Sequence, residues 1–220
     1  RIGRALRSLG VEVCMIHGRE DRLSTPVRFS DDSRSILRSN PLDSYLDIEA
    51  IIDAAKSMGV DAIHPGYGFL AENADFVRRL EEEEITFIGP SSDVIRLLGD
   101  KIEARKAMEA AGLPVARGSS EPVSSADEAV TLASEIGYPV IIKAAAGGGG
   151  IGMQIVHDSS EFSSALNLCQ SRARSAFGDD RVFVEKYIEG AQHIEFQVLA
   201  DGNNAIHFGE RFCSIQRRHQ

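Results

Sequence analysis

The chain has 220 residues, 43% of them hydrophobic and 26% charged, and its 24 Lys and Arg against 33 Asp and Glu give a formal net charge of −9. This composition argues against a disordered chain, a collagen and a disulfide scaffold. The acidic balance argues against a broad nucleic-acid or anionic-membrane binder, and no apolar run approaches the ~20 residues of a membrane-spanning helix. Three cysteines without a CxxC spacing indicate a reduced compartment and no zinc site, so we expect a cytoplasmic protein, or a mitochondrial-matrix protein if the source is eukaryotic.

The first part of the chain alternates strand and helix patterns. Strands that alternate with helices of this length predict parallel β/α units, and the ligands of such sheets bind beyond the carboxyl ends of the strands. The loop HPGYGF (64–69) lies at such an end. We assign no role to residues 24–36. The predicted elements are helices at 2–9, 46–58 and 76–84 and strands at 11–17, 61–64 and 86–88.

The second part begins with a helical region at 93–111, which is interrupted near Gly99 and Asp100. After a polar connector at 119–125 the pattern becomes α+β. The residues 201–204 (DGNN) favour a tight turn and predict a β-hairpin. The further predicted elements are helices at 126–136 and 161–176 and strands at 140–143, 153–156, 182–185, 194–200 and 205–208.

A glycine cluster is the most unusual feature of the sequence, because five of the 20 glycines lie between Gly147 and Gly152 with only Ile151 among them. A Walker loop places its lysine after the glycines, and a dinucleotide fingerprint opens a helix. Here Lys143 precedes the glycines, and a predicted strand (MQIV) follows. We predict a hairpin tip whose N–H groups, together with Lys143, close over nucleotide phosphates. The alternative is a long loop without a ligand.

The order of these motifs resembles the amino-terminal half of the biotin carboxylases, which are ATP-grasp enzymes. The resemblance spans essentially the whole chain, with the family's order and approximate spacing. Seven segments carry it: HPGYGFLAEN (64–73), FIGP (87–90), IRLLGDK (95–101), YPVIIKAAAGGGGIGM (138–153), EKYIE (185–189), HIEFQVLADG (193–202) and ERFCSIQRRHQ (210–220).

The resemblance implies an α/β fold: a Rossmann-like pre-ATP-grasp domain, an α+β ATP-grasp lid and the start of the ATP-grasp carboxy-terminal domain. We expect an internal window of a longer protein, because the chain starts within a helical pattern and stops inside a charged segment. The expected divisions are a Rossmann-like domain without its first strand at 1–90, linker helices at 91–115, the lid at 116–188 and a truncated third domain at 189–220.

The resemblance also implies which residues contact the phosphates of a nucleotide. Lys101 resembles a phosphate-contacting lysine, and Lys143 resembles a second one that reaches the α-phosphate side. Gly148, Gly149 and Gly150 resemble the lid loop that covers the phosphates. Without the motif, Lys101 would be interpreted as an ordinary lysine on a helix surface.

The remaining implied contacts lie at the adenine and ribose end. A neutral, planar base suits a hinge strand that offers backbone N–H and C=O groups. Without the motif, the hinge would be the solvated end of a strand, and the histidine an ordinary sheet residue. The residues are Met153 near the adenine, Glu185, Lys186, Tyr187 and Ile188 in the hinge, His193 near the ribose, and Gln216 and His219 near the ribose and phosphates.

In the resembled family, ATP and bicarbonate form carboxyphosphate, which leads to the carboxylation of biotin on a carrier domain. The two glutamates that hold Mg²⁺ are expected beyond residue 220, so we assign no catalytic or metal-binding residue and expect the isolated fragment to be inactive. The implied partners are a biotin carboxyl carrier domain, a carboxyltransferase and a second copy in a homodimer, with neither nucleic acid nor membrane. The parent enzyme could be an acetyl-CoA, propionyl-CoA, methylcrotonyl-CoA or pyruvate carboxylase. The alternatives are a non-catalytic ATP-binding or dimerisation module and another ATP-grasp ligase such as a carbamoyl-phosphate synthase.

Overall fold

A computed structural model describes residues 1–123, 125–146 and 152–213. The chain divides into two units, Arg1–Leu98 and Gly99–Gln220. Among the described residues no helix has both the length and the apolar character that crossing a membrane requires.

The first unit alternates short strands with helices, as the pattern predicts. Its elements are α1 (Ile2–Ser8), β1 (Cys14–His17), α2 (Thr25–Phe29), β2 (Asp32–Ser35), a 3₁₀ helix (Pro41–Tyr45), α3 (Ile48–Met58), β3 (Ala62–Ile63), α4 (Ala74–Glu82), β4 (Thr86–Phe87) and α5 (Ser92–Gly99), which ends at the boundary.

The strands of the first unit form two parallel pairs, β1 with β2 and β3 with β4. Helix α3 covers them with an apolar stripe that buries Ile51 and Ile52. It begins at Asp47, whose side chain accepts a hydrogen bond from the N–H of Ala50 at 3.0 Å. It ends at Gly59, which has a left-handed φ of 65°.

Three elements of this unit have no counterpart in the sequence prediction, namely β2, α2 and the 3₁₀ helix. Strand β2 has the polar sequence DSRS, and two of its four residues are exposed, so it lacks the alternation that marks a strand. Its position is set by hydrogen bonds: the Asp31 carboxylate accepts the N–H of Val13 at 2.9 Å, and the Asp31 N–H donates to the Val13 carbonyl at 2.7 Å. Helix α2 is only five residues long.

The second unit contains helices around an antiparallel sheet, followed by a hairpin. Its elements are α6 (Lys101–Ala110), α7 (Ala126–Ile136), β5 (Val140–Ala144), β6 (Met153–Val156), α8 (Phe162–Phe177), β7 (Val182–Lys186), β8 (Ile194–Ala200) and β9 (Ala205–Phe212).

The sheet of the second unit has the strand order β6-β5-β7, with both pairs antiparallel. One of its faces, which we call the core face, packs against α7 and α8 through residues such as Ala133 and Phe162. Full burial of these apolar side chains is the main stabilising contribution here, at about 1.5–3 kcal/mol for each large one. The core face consists of Val140, Ile142, Val156, Val182 and Val184.

The outer edge of β7 is covered by the segment 117–123, which we call the edge segment. The N–H of Lys186 donates to the Arg117 carbonyl at 2.7 Å, and the N–H of Ser119 donates to the Val184 carbonyl at 2.8 Å. Gly118 forms an antiparallel bridge with Glu185. The edge segment therefore extends the hydrogen bonding of the sheet by one further chain segment.

Strands β8 and β9 form the predicted hairpin around the turn at 201–204, where Asp201 accepts the N–H groups of Asn203 and Asn204 at 3.0 and 2.8 Å. Strand β9 is longer than predicted because its pairing with β8 continues as far as Ile194 opposite Phe212. Conversely, β1 is shorter than its predicted range of 11–17.

Candidate functional site

The second face of the three-stranded sheet carries the polar side chains that the sequence singled out. Because side chains alternate along a strand, the residues between those of the core face point the other way. In the antiparallel register Lys143 lies opposite both Phe183 and Met153, and Glu185 lies opposite Ile141. We call this side, formed by Ile141, Lys143, Met153, Ile155, Phe183 and Glu185, the cleft face.

Helix α6 places Lys101 beside the cleft face. The Asp100 carboxylate caps the helix by accepting the N–H of Ile102 at 3.0 Å, and Ile102 is buried together with Ala145 and Phe183. The Lys101 backbone N–H donates to the Ala145 carbonyl at 3.3 Å, and its ammonium donates to the Ala144 carbonyl at 3.2 Å. The start of α6 is thus fixed to the end of β5.

The two lysines are brought close enough to influence each other. Burial lowers the pKa of Lys101, the positive charge of Lys143 lowers it further, and Glu185 opposes the shift. The Lys143 ammonium contacts Oε2 of Glu185 at 2.6 Å. The site therefore combines a lysine that is costly to keep charged with a lysine held by a carboxylate. Both are suited to an anionic ligand that supplies negative charge.

Arg105 is a third cation at this site, and the sequence prediction did not include it. Its Nη1 lies 3.5 Å from Oε1 of Glu185, and its Nη2 lies 3.3 Å from Oε1 of Glu109. The signal available in the sequence was its spacing, because residues four apart share a helix face and Arg105 follows Lys101 by four. That spacing alone does not identify Glu185 as its partner, 80 residues away.

A cleft of about 580 Å³ opens on the cleft face next to these charges. It combines apolar side chains with a lysine and a carboxylate, which is the usual make-up of a small-molecule site. The structure thereby brings together six of the predicted residues, namely Lys143, Met153, Glu185, Lys186, Tyr187 and Ile188.

The Lys186 side chain is already engaged within the protein. Its ammonium donates to the carbonyls of Gly137 at 2.9 Å and Tyr138 at 3.0 Å. The neighbouring Tyr187 N–H donates to the Pro139 carbonyl at 3.1 Å. These bonds fasten the end of β7 to the start of β5, so Lys186 holds the wall of the cleft.

His193 directly precedes β8 and is not among the residues that line this cleft. Its Nε2 is 3.6 Å from Oε1 of Glu195, and its carbonyl accepts the N–H of Cys213 at 2.8 Å. The predicted residues Gly148, Gly149, Gly150, Gln216 and His219 lie outside the described residues.

No group of three or more His, Cys, Asp or Glu side chains that could hold a metal ion occurs within 1–123, 125–146 and 152–213. The cleft has apolar residues such as Met153 and Ile188 along its wall, and two lysines, Lys101 and Lys143, lie close together at one side of it. This arrangement is complementary to a ligand with a flat, uncharged part and a negatively charged part.

Two family models match the chain. Residues 1–95 match the model described as "Biotin carboxylase, N-terminal domain". Residues 100–220 match the model described as "Carbamoyl-phosphate synthase L chain, ATP binding domain". The two matches meet close to the boundary between the two units of the structure at residue 98.

Characterised proteins match over the full chain. It is 49% identical to a biotin carboxylase of Pseudomonas aeruginosa, covering 100% of this chain and 49% of that protein. It is 48% identical to a pyruvate carboxylase subunit of Methanothermobacter thermautotrophicus, covering 100% of this chain and 45% of that protein. The chain thus spans about half the length of these relatives.

Solved structures match as well. The biotin carboxylase domain dimer of Hydrogenobacter thermophilus 2-oxoglutarate carboxylase, in complex with MgADP, ADP and bicarbonate, has a TM-score of 0.94 at 46% identity, covering 100% of this chain and 49% of that one. A biotin carboxylase complex with β,γ-ATP from Campylobacter jejuni has a TM-score of 0.95 at 44% identity, covering 99% and 49%.

These matches confirm the predicted fold class, an α/β chain with a Rossmann-like part followed by ATP-grasp elements. The biotin carboxylase model matches the first unit and the ATP-binding model matches the second, which is the predicted order. The relatives match the chain along its entire length. The chain belongs to the biotin carboxylase family of ATP-grasp proteins.

Proposed function

We propose that this chain forms much of the ATP site of an enzyme that carboxylates biotin on a carrier protein, using ATP and bicarbonate. The observation that carries the proposal is the convergence of Lys101 and Lys143 on one sheet face, beside Glu185 and an apolar cleft. We assign this arrangement to ATP because the chain belongs to the biotin carboxylase family.

Lys101 and Lys143 bind the phosphates in this proposal. A polyphosphate offers several negative charges, so it relieves the repulsion between the two ammonium groups and compensates the desolvation of Lys101. Lys143 exchanges its contact with Glu185 for a phosphate oxygen. Gly148, Gly149 and Gly150 cover the phosphates with their N–H groups, as the resemblance implies.

The adenine lies against Met153, with its edge facing the hinge residues 185–188. The support is that these residues line one cleft, and that Lys186 secures the hinge by its bonds to Gly137 and Tyr138. A hinge held in this way offers its remaining backbone groups at a fixed position, which lowers the entropic cost of binding a planar base. His193, Gln216 and His219 are assigned to the ribose and phosphate region by resemblance.

Magnesium, when bound, would neutralise charge on the phosphates. The described residues provide no acidic cluster for it, and we assign its ligands to positions beyond residue 220. The contribution of this chain is therefore to bind and orient the nucleotide.

The expected partners are a biotin carboxyl carrier domain, a carboxyltransferase and a second copy of the chain. The support is that one relative is a pyruvate carboxylase subunit and that one similar structure is a domain dimer. The domain divisions at 90, 115 and 188 are kept as a proposal. Pairing changes from parallel to antiparallel between β4 and β5, and β7 and β8 belong to separate sheets. The three free cysteines are in keeping with a cytoplasmic or mitochondrial-matrix location.

The test is ATP hydrolysis and biotin carboxylation by the full-length protein. We expect both to require bicarbonate, and we expect Lys143→Met to weaken ADP binding about 10- to 100-fold, the range for losing a charged hydrogen bond. The matched control is Lys106→Met on the exposed side of α6, where Lys106 pairs with Glu103 and Glu121. This control should stay within about twofold of wild type.

Two results would contradict the proposal. One is ADP binding that does not depend on Lys143. The other is bicarbonate-dependent ATP hydrolysis that carboxylates ammonia or another amine in place of biotin, which would favour the carbamoyl-phosphate synthase alternative.

A further inference from the structure

The Glu185 carboxylate lies between two cations of the second unit. Its Oε2 contacts the Lys143 ammonium at 2.6 Å, and its Oε1 faces Nη1 of Arg105 at 3.5 Å. The Arg105 side chain is only 10% exposed and that of Glu185 only 16%. Charges that are this well shielded from water interact more strongly than exposed pairs. The orientation of the carboxylate therefore depends on both cations.

Three elements are arranged around the contact between Arg105 and Glu185. Arg105 comes from α6 and Glu185 from β7, while the edge segment passes beside both at Gly118. A Cβ at Gly118 would lie 2.6 Å from the Val184 carbonyl oxygen, 2.8 Å from Nη1 of Arg105 and 2.9 Å from Cγ of Glu185. No side chain fits at position 118 without displacing the guanidinium or the strand. The glycine is therefore required for the observed position of Arg105.

The contact of Arg105 with a second carboxylate, that of Glu109, limits how closely its guanidinium approaches Glu185. Its Nε and Nη2 both lie 3.3 Å from Oε1 of Glu109, one turn further along α6. The guanidinium is thus divided between an exposed glutamate and the shielded one. By contrast, the Lys143 ammonium donates a hydrogen bond to Glu185 and to no other residue among those that the structure describes. Two cations that share one carboxylate each hold it less tightly than one cation would.

We propose that Arg105 is a positioning residue of the nucleotide site: it draws the Glu185 carboxylate toward α6, so that Lys143 can leave it for a phosphate. This inference rests on the proposed nucleotide function. Without Arg105, Glu185 would neutralise Lys143 alone, and a phosphate would have to compete with a complete ion pair. Arg105 also adds positive charge near the phosphates without contacting them.

The test compares ligands with and without phosphates, using the full-length protein and calorimetry. We expect Arg105→Met to weaken ADP binding about tenfold, equivalent to about 1.4 kcal/mol, and to leave adenosine binding within about twofold. Arg105→Lys should restore part of the ADP affinity because it keeps the charge. The control is Lys106→Met, on the same helix but paired with Glu103 and Glu121, and it should stay within about twofold.

A double-mutant cycle separates positioning from a general structural role. If Arg105 acts through Lys143, adding Arg105→Met to Lys143→Met should cause little further loss of ADP affinity. Additive losses, or an equal loss for adenosine and ADP, would overturn the inference. A wild-type protein that binds no ADP would overturn the proposed function together with it. ADP binding that is unchanged by Arg105→Met would overturn the role of Arg105 alone.

Discussion

The core face and the cleft face of the β6-β5-β7 sheet are built by the same strands but differ in what they contact. The core face is filled by aliphatic residues and sealed by α7 and α8. The cleft face places Lys143 and Glu185 among apolar neighbours and is covered in part by α6 through Ile102. Alternation along a strand thus allows one short sheet to be a stabilising core on one side and a binding surface on the other. Substitutions on the two faces should therefore affect different properties.

The largest expected effect is on the core face. Phe162 on α8 is fully buried among the strands. We expect Phe162→Ala to lower the free energy of unfolding by about 3–5 kcal/mol, because it removes a buried ring and leaves a cavity. Urea denaturation followed by circular dichroism measures this. The control on the same helix is Leu168→Ala. Leu168 is 41% exposed, so this substitution should lower the free energy of unfolding by less than about 1 kcal/mol. Similar losses at both positions would contradict the assignment of the core face.

An intermediate effect is expected where the edge segment meets the cleft face. A methyl group at Gly118 would meet the Val184 carbonyl at 2.6 Å, and this backbone atom cannot move without disturbing β7. We expect Gly118→Ala to cost about 1–3 kcal/mol of stability and to weaken ADP binding, because it displaces Glu185. Gly99→Ala is the matched control, since a Cβ there has no atom within 4 Å. Unchanged stability in Gly118→Ala would show that the edge segment is not held closely.

The smallest expected effect is a pH dependence on the cleft face. Burial and the charge of Lys143 lower the pKa of Lys101, so this lysine loses its proton at a lower pH than an exposed lysine does. ADP affinity should be full at neutral pH and fall, by about threefold to tenfold, as pH rises through that lowered pKa. Stability has the opposite sign: the neutral lysine is favoured in the folded state, so the cost of its buried charge is relieved as pH rises toward the ordinary lysine value.

Calorimetric titrations with ADP between about pH 7 and pH 10 measure this dependence. Lys101→Arg should retain affinity to higher pH, since arginine keeps its charge throughout the range. Lys106→Arg is the control, because ion pairs with Glu121 and Glu103 raise the pKa of Lys106. A wild-type profile identical to that of Lys101→Arg would rule out a contribution from Lys101.

Features of this site that depend on neighbouring residues were predicted from the sequence, whereas contacts between residues far apart in the chain were not. The strands that carry Lys143 and Glu185 were predicted, but the antiparallel register that puts both side chains on one face is seen only in the structure. The contact of Arg105 with Glu185 depends on how α6 packs over Phe183, and no local pattern contains that information. The side chain of Lys186 was likewise unpredictable, because its partners are carbonyls at Gly137 and Tyr138.

In the fold, helices with an apolar stripe and a capping residue were predicted most accurately. Helix α7 (Ala126–Ile136) has its predicted bounds, with Ser125 accepting the N–H of Glu128 at 3.2 Å. Strand β2 was missed because it is half exposed and stabilised by backbone pairing with β1 instead of burial. Strand ends such as Phe212 depend on the partner strand, so they cannot be found from one segment alone.

The edge segment has a further consequence, for the behaviour of the chain while it is being made. Strand β7 (VFVEK) begins with three buried apolar residues, two of them β-branched, a composition that favours pairing with other strands. Arg117, Ser119 and Val123 already supply hydrogen-bond partners along its outer side. These residues precede β7 in the chain and leave the ribosome before it. The covering segment is thus already available when the strand emerges, and pairing with it would leave fewer open N–H and C=O groups on β7 for another chain.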